Sequence, residues 1–89
     1  MEFIITEVAK EELAKKFDGK TLRVLPKTRT WAGIIYEMVQ DEPTPNDNVY
    51  KTGNFQFIIN KEDEKELSYL EIDYVNDWSG KEFIITAGF

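Results

Sequence analysis

The sequence contains no cysteine and no histidine among its 89 residues. Without thiolate or imidazole, the strongest protein nucleophile and the commonest general base are both missing, which argues against most covalent and acid–base catalysis. Zinc, copper and iron–sulfur sites draw on the same two ligand types, so the usual soft-metal centres are excluded with them. No disulfide can form, and packing alone must hold the fold. The only serines, Ser68 and Ser79, sit in no glycine-flanked elbow, and five scattered glycines build no phosphate loop. No enzyme is expected.

Long apolar runs are missing too. Met1-Glu2-Phe3-Ile4-Ile5 offers three consecutive apolar residues before Thr6, with no basic stretch ahead of them. That pattern predicts neither a signal peptide nor a membrane span. A soluble cytoplasmic protein is the default expectation.

What is present suits one small domain over residues 1–89. With 42% hydrophobic and 13% aromatic residues, the chain can bury a core, although a domain this short is marginal. The net charge of −6 is unevenly spread. Residues 10–29 carry seven basic and three acidic side chains, a net of +4, and the remainder carries four against fourteen, a net of −10. Overall acidity argues against nucleic-acid binding, which needs many Lys and Arg at phosphates. The basic segment reads either as a solvated face or as a dock for an acidic protein partner.

Thr6 can cap a helix running to Asp18. Ala9, Leu13 and Phe17 then share one face, Glu11 with Lys15 and Glu12 with Lys16 lie outside, and Gly19 stops it. Strands are expected at Phe3–Ile5, Thr21–Leu25, Trp31–Gln40, Phe55–Ile59, Leu70–Val75 and Glu82–Thr86. Pro26 ends the second or marks an edge. The third has two apolar faces, Ala32/Ile34/Tyr36/Met38 and Trp31/Ile35/Val39, which predicts a central strand. Asp41 to Asn48 reads as loop, and Asn60 caps a short charged helix reaching about Leu67. Glu2-Phe3-Ile4-Ile5-Thr6 recurs as Glu82 to Thr86, an echo of similar packing needs rather than a duplication.

The expected fold is mainly β with two short helices. Its core should comprise Leu13, Phe17, Leu22, Val24, Ile34, Tyr36, Phe57, Ile59, Ile72, Tyr74, Phe83 and Ile85.

Two groups of side chains remain as functional candidates. Acidic clusters (Asp41, Glu42 and Asp47; Glu62 to Glu66) lack the spacing of a calcium loop. Trp31 and Trp78 read either as core or as binding anchors, since tryptophan and arginine dominate interface hot spots. Arg23, Lys27 and Arg29 would supply a positive rim around Trp31.

Several stretches resemble the HesB-like domain of the A-type iron–sulfur carriers. Thr6 to Phe17 looks like the family's opening helix. Leu22-Arg23-Val24 followed by Trp31-Ala32-Gly33-Ile34-Ile35-Tyr36 resembles its Leu-Arg strand and its Gly-Gly-Cys-Ser-Gly-x-x-Tyr motif. On that match Arg29 and Thr30 take the glycine places, Trp31 the cysteine and Ala32 the serine. Asp41-Glu42-Pro43 with Asp47 is similar to the family's acidic hairpin loop, and Ile72-Asp73-Tyr74 to its Ile-Asp-Tyr strand.

The resemblance implies a mixed-sheet pseudo-barrel and a relation to iron–sulfur cluster biosynthesis. The family's C-terminal Cys-Gly-Cys motif has no counterpart in Ala87-Gly88-Phe89. A cysteine-less accessory or protein-binding module without cofactor is therefore expected, with Trp31 as a plug where the cluster would sit. Weak iron binding through Glu37, Asp41 and Glu42 is the alternative.

Overall fold

The computed structural model describes all residues, 1–89. Elements follow in the order β1 (Glu2–Ile5), α1 (Glu7–Phe17), β2 (Thr21–Thr30), β3 (Gly33–Gln40), β4 (Asp47–Thr52), β5 (Phe55–Asn60), α2 (Lys61–Glu64), β6 (Tyr69–Asp77) and β7 (Gly80–Gly88). The fold is mainly β, as the alternating segments predict. One sheet has the order β1-β6-β7 and the other β3-β2-β5-β4. Both are mixed, because β1 runs parallel to β6 and β2 parallel to β5 while every other pair is antiparallel.

Helix α1 starts where its cap predicts. The Ala9 N–H donates to Thr6 Oγ1 at 3.2 Å, and the Thr6 hydroxyl donates to Asp73 Oδ1 at 2.8 Å, so the cap also ties the helix to β6. Ala9 and Leu13 are fully buried. Lys16 departs from its expected solvent pair with Glu12: its Nζ lies 5.2 Å from the Tyr74 ring centroid and 5.6 Å from that of Phe83. Its ammonium thus caps an aromatic edge of the core. Glu12 pairs with Lys15 instead.

The two sheets enclose one apolar cluster built around Leu13, Leu22, Phe57, Leu70 and Ile72. Eight of the expected core residues are buried, while Phe17, Ile34, Phe83 and Ile85 are half-buried at its margin. Ala9, Leu67 and Leu70 complete it, and Ile58 is buried outside that cluster.

Four elements differ from the sequence reading. β2 runs through Pro26 to Thr30, with a register shift between Pro26 and Thr28 that leaves Lys27 as a bulge. Its pairing with β5 covers only Thr21 to Arg23, so Pro26 lies where that side has no partner. β3 is an edge strand, not a central one, and Ile35 and Val39 of its outer face are exposed. β4 lies within and beyond the expected loop. Helix α2 is a single turn after the Asn60 cap, with Leu67 inserted in the core beyond it.

Candidate functional site

Both tryptophans occupy hairpin tips. Thr30 pairs with Gly33, leaving Trp31 and Ala32 as a two-residue connection, and Asp77 pairs with Gly80, leaving Trp78 and Ser79. The chemistry of the two turns matches. The Ala32 N–H donates to Thr30 Oγ1 at 3.2 Å, and the Ser79 N–H donates to Asp77 Oδ1 at 2.9 Å. No non-glycine residue takes a positive φ, so the glycines that follow, Gly33 at +137° and Gly80 at +138°, supply the twist that closes each hairpin. Ser79 also holds the Asp77 carboxyl below its usual range through a 2.6 Å hydrogen bond from its hydroxyl.

Trp31 is 100% exposed and Trp78 is 98% exposed. Of the two readings, core or anchor, this removes the core for both indoles, and it corrects the expectation of a plug, since Trp31 fills no space inside the fold. The strand expected from Trp31 begins instead at Gly33, and the turn before it leaves Trp31 in solvent. Neither ring stacks on another aromatic or lies under a cation. The two tips belong to different sheets, Trp31 at the β2–β3 turn and Trp78 at the β6–β7 turn.

The three basic candidates part company. Arg23 is no rim cation. Its Nη1 and Nη2 donate to Asp47 Oδ1 and Oδ2 at 2.6 and 2.7 Å, and its Nε donates to Asp41 Oδ2 at 2.6 Å. Asp47 also accepts from the N–H and the hydroxyl of Thr44. Its side chain is 0% exposed and that of Arg23 14%. The guanidinium, followed by the Thr44 donors, holds the Asp47 carboxyl far below the carboxylate range, and Asp41 is lowered by Arg23 as well. The expected acidic loop is thus a clasp on Arg23 that fixes the β3–β4 connection.

Lys27 and Arg29 are exposed and form no ion pair. Each shares a groove with the chain's own acids, Arg29 with Glu62, Asp63 and Glu66, and Lys27 with Glu37 and Glu82. Both cations therefore sit among the chain's own carboxylates. Tyr36, in the Arg29 groove, has its phenol raised by burial and then by Asp63.

No set of three or more Asp or Glu side chains is arranged to hold a metal. Arg23 occupies Asp41 and Asp47, so the carboxylate set proposed for iron is not assembled. The donor set fits an iron–sulfur cluster no better, since such clusters require thiolates or imidazoles. No helix is long and apolar enough to cross a membrane.

Neither a family model nor a curated protein matches the chain. Solved structures do. IscA with its 2Fe-2S cluster shares 22% identity at a TM-score of 0.75, covering 96% of this chain and 84% of that one. Escherichia coli SufA, involved in biosynthesis of iron–sulfur clusters, shares 20% at 0.71, covering 96% and 79%. A protein from Aquifex aeolicus, solved by NMR, shares 24% at 0.65, covering 97% and 93%. Nearly the whole chain therefore superposes on these proteins, and its fold is HesB-like.

Proposed function

We propose that the chain is a non-catalytic protein-binding module on the scaffold of the iron–sulfur carriers, and that Trp31 is its principal anchor. One observation supports the reading above the others. A tryptophan that is 100% exposed and touches no other ring stands at the position matched to the family's first cysteine. Exposing an indole forgoes its burial, roughly 25 cal/mol for each Å² of apolar surface left in water, which a partner's pocket would recover. Lys27 and Arg29 flank it, but the acids beside them limit any preference for an acidic partner. The likeness to SufA suggests a partner within iron–sulfur cluster biosynthesis.

Affinity-tagged protein recovered from its own cells, beside the Trp31→Ala variant, tests the reading. The variant should retain its melting temperature and lose the wild type's partner, with an affinity loss of about 2 kcal/mol. Equal recovery of that partner by both proteins would overturn it.

A further inference from the structure

The two sheets meet at two seams, and one of them is open. At the first seam β3 lies against β7. At the second, β1 and β4 face each other across a groove of about 620 Å³ lined by Glu2 to Ile5, Lys10 and Val49 to Thr52. That volume lies within the usual range of a ligand cleft. The groove has an aromatic floor, where the Phe3 and Tyr50 rings stack at 5.4 Å.

The groove is bounded by two sheet edges whose free backbone groups are identifiable. On β1, the Glu2 and Thr6 N–H groups donate to the Ser68 and Ile72 carbonyls of the β6 side. In a parallel pair, alternate residues face the partner, so Phe3 and Ile5 turn their N–H and C=O away from β6. On β4, the Lys61 N–H donates to the Asn46 carbonyl, which fixes the phase of the antiparallel ladder. Asn48 and Tyr50 then bond to β5, and Val49 and Lys51 point outward. Both free rows border the same groove.

We propose that this groove receives an extended, acid-bearing segment of a partner polypeptide, which adds as a strand along the free edges of β1 and β4. A strand presents N–H and C=O groups on both sides at the spacing these edges need, and small polar ligands do not. Among the charged side chains of the lining, Lys10 and Lys51 stand against Glu2; Lys10 is paired with Glu7 at 3.3 Å, and Lys51, which has no ion-pair partner, is the cation free to meet an incoming carboxylate. An edge lysine deters indiscriminate strand pairing, and a carboxylate on the incoming strand removes that barrier. Val49, which is exposed, offers an apolar contact on the same strand as Lys51. The site is remote in the fold from the Trp31 hairpin, so it stands or falls independently of that reading.

The test is amide-resolved NMR titration of the whole chain with a capped peptide alternating valine and glutamate. The Phe3, Ile5, Val49 and Lys51 amides should shift and become protected from exchange. A peptide with N-methylated backbone should not bind, and replacing its glutamates by lysines should weaken binding. Val49→Pro removes one outward N–H without removing a ladder bond, and should weaken binding about tenfold. Should that variant unfold, Lys51→Glu provides the same test through charge, and Trp31→Ala should bind as wild type. No shift at these four amides with millimolar peptide, or equal binding of the N-methylated peptide, would overturn the proposal.

Discussion

Arg23 and Asp47, 24 residues apart in sequence, meet through two parallel hydrogen bonds with the carboxylate fully out of water. Removing one partner strands the other charge. Arg23→Ala and Asp47→Ala should each destabilise the domain by about 3–5 kcal/mol, the range for a broken buried pair. Denaturant unfolding would show it, and the double variant should cost less than the sum of the two.

The same pair sets the acid limb of stability. Asp47 has a folded pKa far below its unfolded value of about 3.9. Its contribution is therefore fully present above that value and is lost as pH falls toward the folded one. Unfolding free energy measured from pH 6 down to pH 2 should decline for the wild type and decline less for Asp47→Asn.

At the alkaline limb the sign reverses. Burial, then the 2.7 Å hydrogen bond to Glu64, pushes the Tyr50 phenol up to about 12. A phenol raised in the folded state contributes stability that is present below its ordinary value and lost as pH climbs through the raised one. Above pH 10 the domain should weaken, and Tyr50→Phe should flatten that decline. Ultraviolet titration should show the Tyr50 phenol ionising only near the top of the range.

The hairpin tips predict a spectroscopic result. With both indoles in water, fluorescence should already be red-shifted in the native protein and hardly move on unfolding. Acrylamide should quench native and denatured protein to a similar degree. Trp31→Ala and Trp78→Ala should each change stability by less than about 0.5 kcal/mol. Gly33→Ala and Gly80→Ala, by contrast, force a side chain into a positive φ and should each cost about 1–3 kcal/mol.

Anaerobic incubation with iron and sulfide should leave the absorbance spectrum of the protein unchanged above the aromatic band, because thiolate ligands are absent from the sequence. Stable, stoichiometric cluster uptake would contradict the donor-set argument.

The sequence reveals the elements that alternate or repeat strongly and conceals those that rest on tertiary partners. The Thr6 cap with the Ala9/Leu13 face, and the strands around Phe57, Ile72 and Tyr74, were legible because burial on one face imposes a period. β4 was hidden: Asp47, Asn48 and Lys51 are poor strand formers, and pairing with β5 holds them extended. β3 misled in the other direction, since its outer Ile35 and Val39 stay exposed at an edge. Asn76 to Gly80 reads as a turn from sequence, and the first tip carries the same local signal. Thr30-Trp31-Ala32-Gly33 and Asp77-Trp78-Ser79-Gly80 share a turn-initiating side chain, an indole, a small residue and glycine. Arg23 could not be separated from Lys27 and Arg29 by spacing, because its clasp forms only when the distant loop folds over it.

The parallel pairing of β1 with β6 also governs when this protein can fold. Glu2 meets Tyr69 and Ile5 meets Ile72, so β1 waits for a strand that is made much later along the chain. The β2–β3 and β4–β5 hairpins can close as they emerge, yet α1 has no sheet to cover until β6 arrives. Through most of synthesis, Phe3, Ile5 and the α1 face stand uncovered, the period in which a nascent chain is most prone to aggregate. Such long-range closure also places refolding toward the slower end for small domains, about milliseconds to seconds. Emergence of the β6–β7 hairpin is the event that completes the domain.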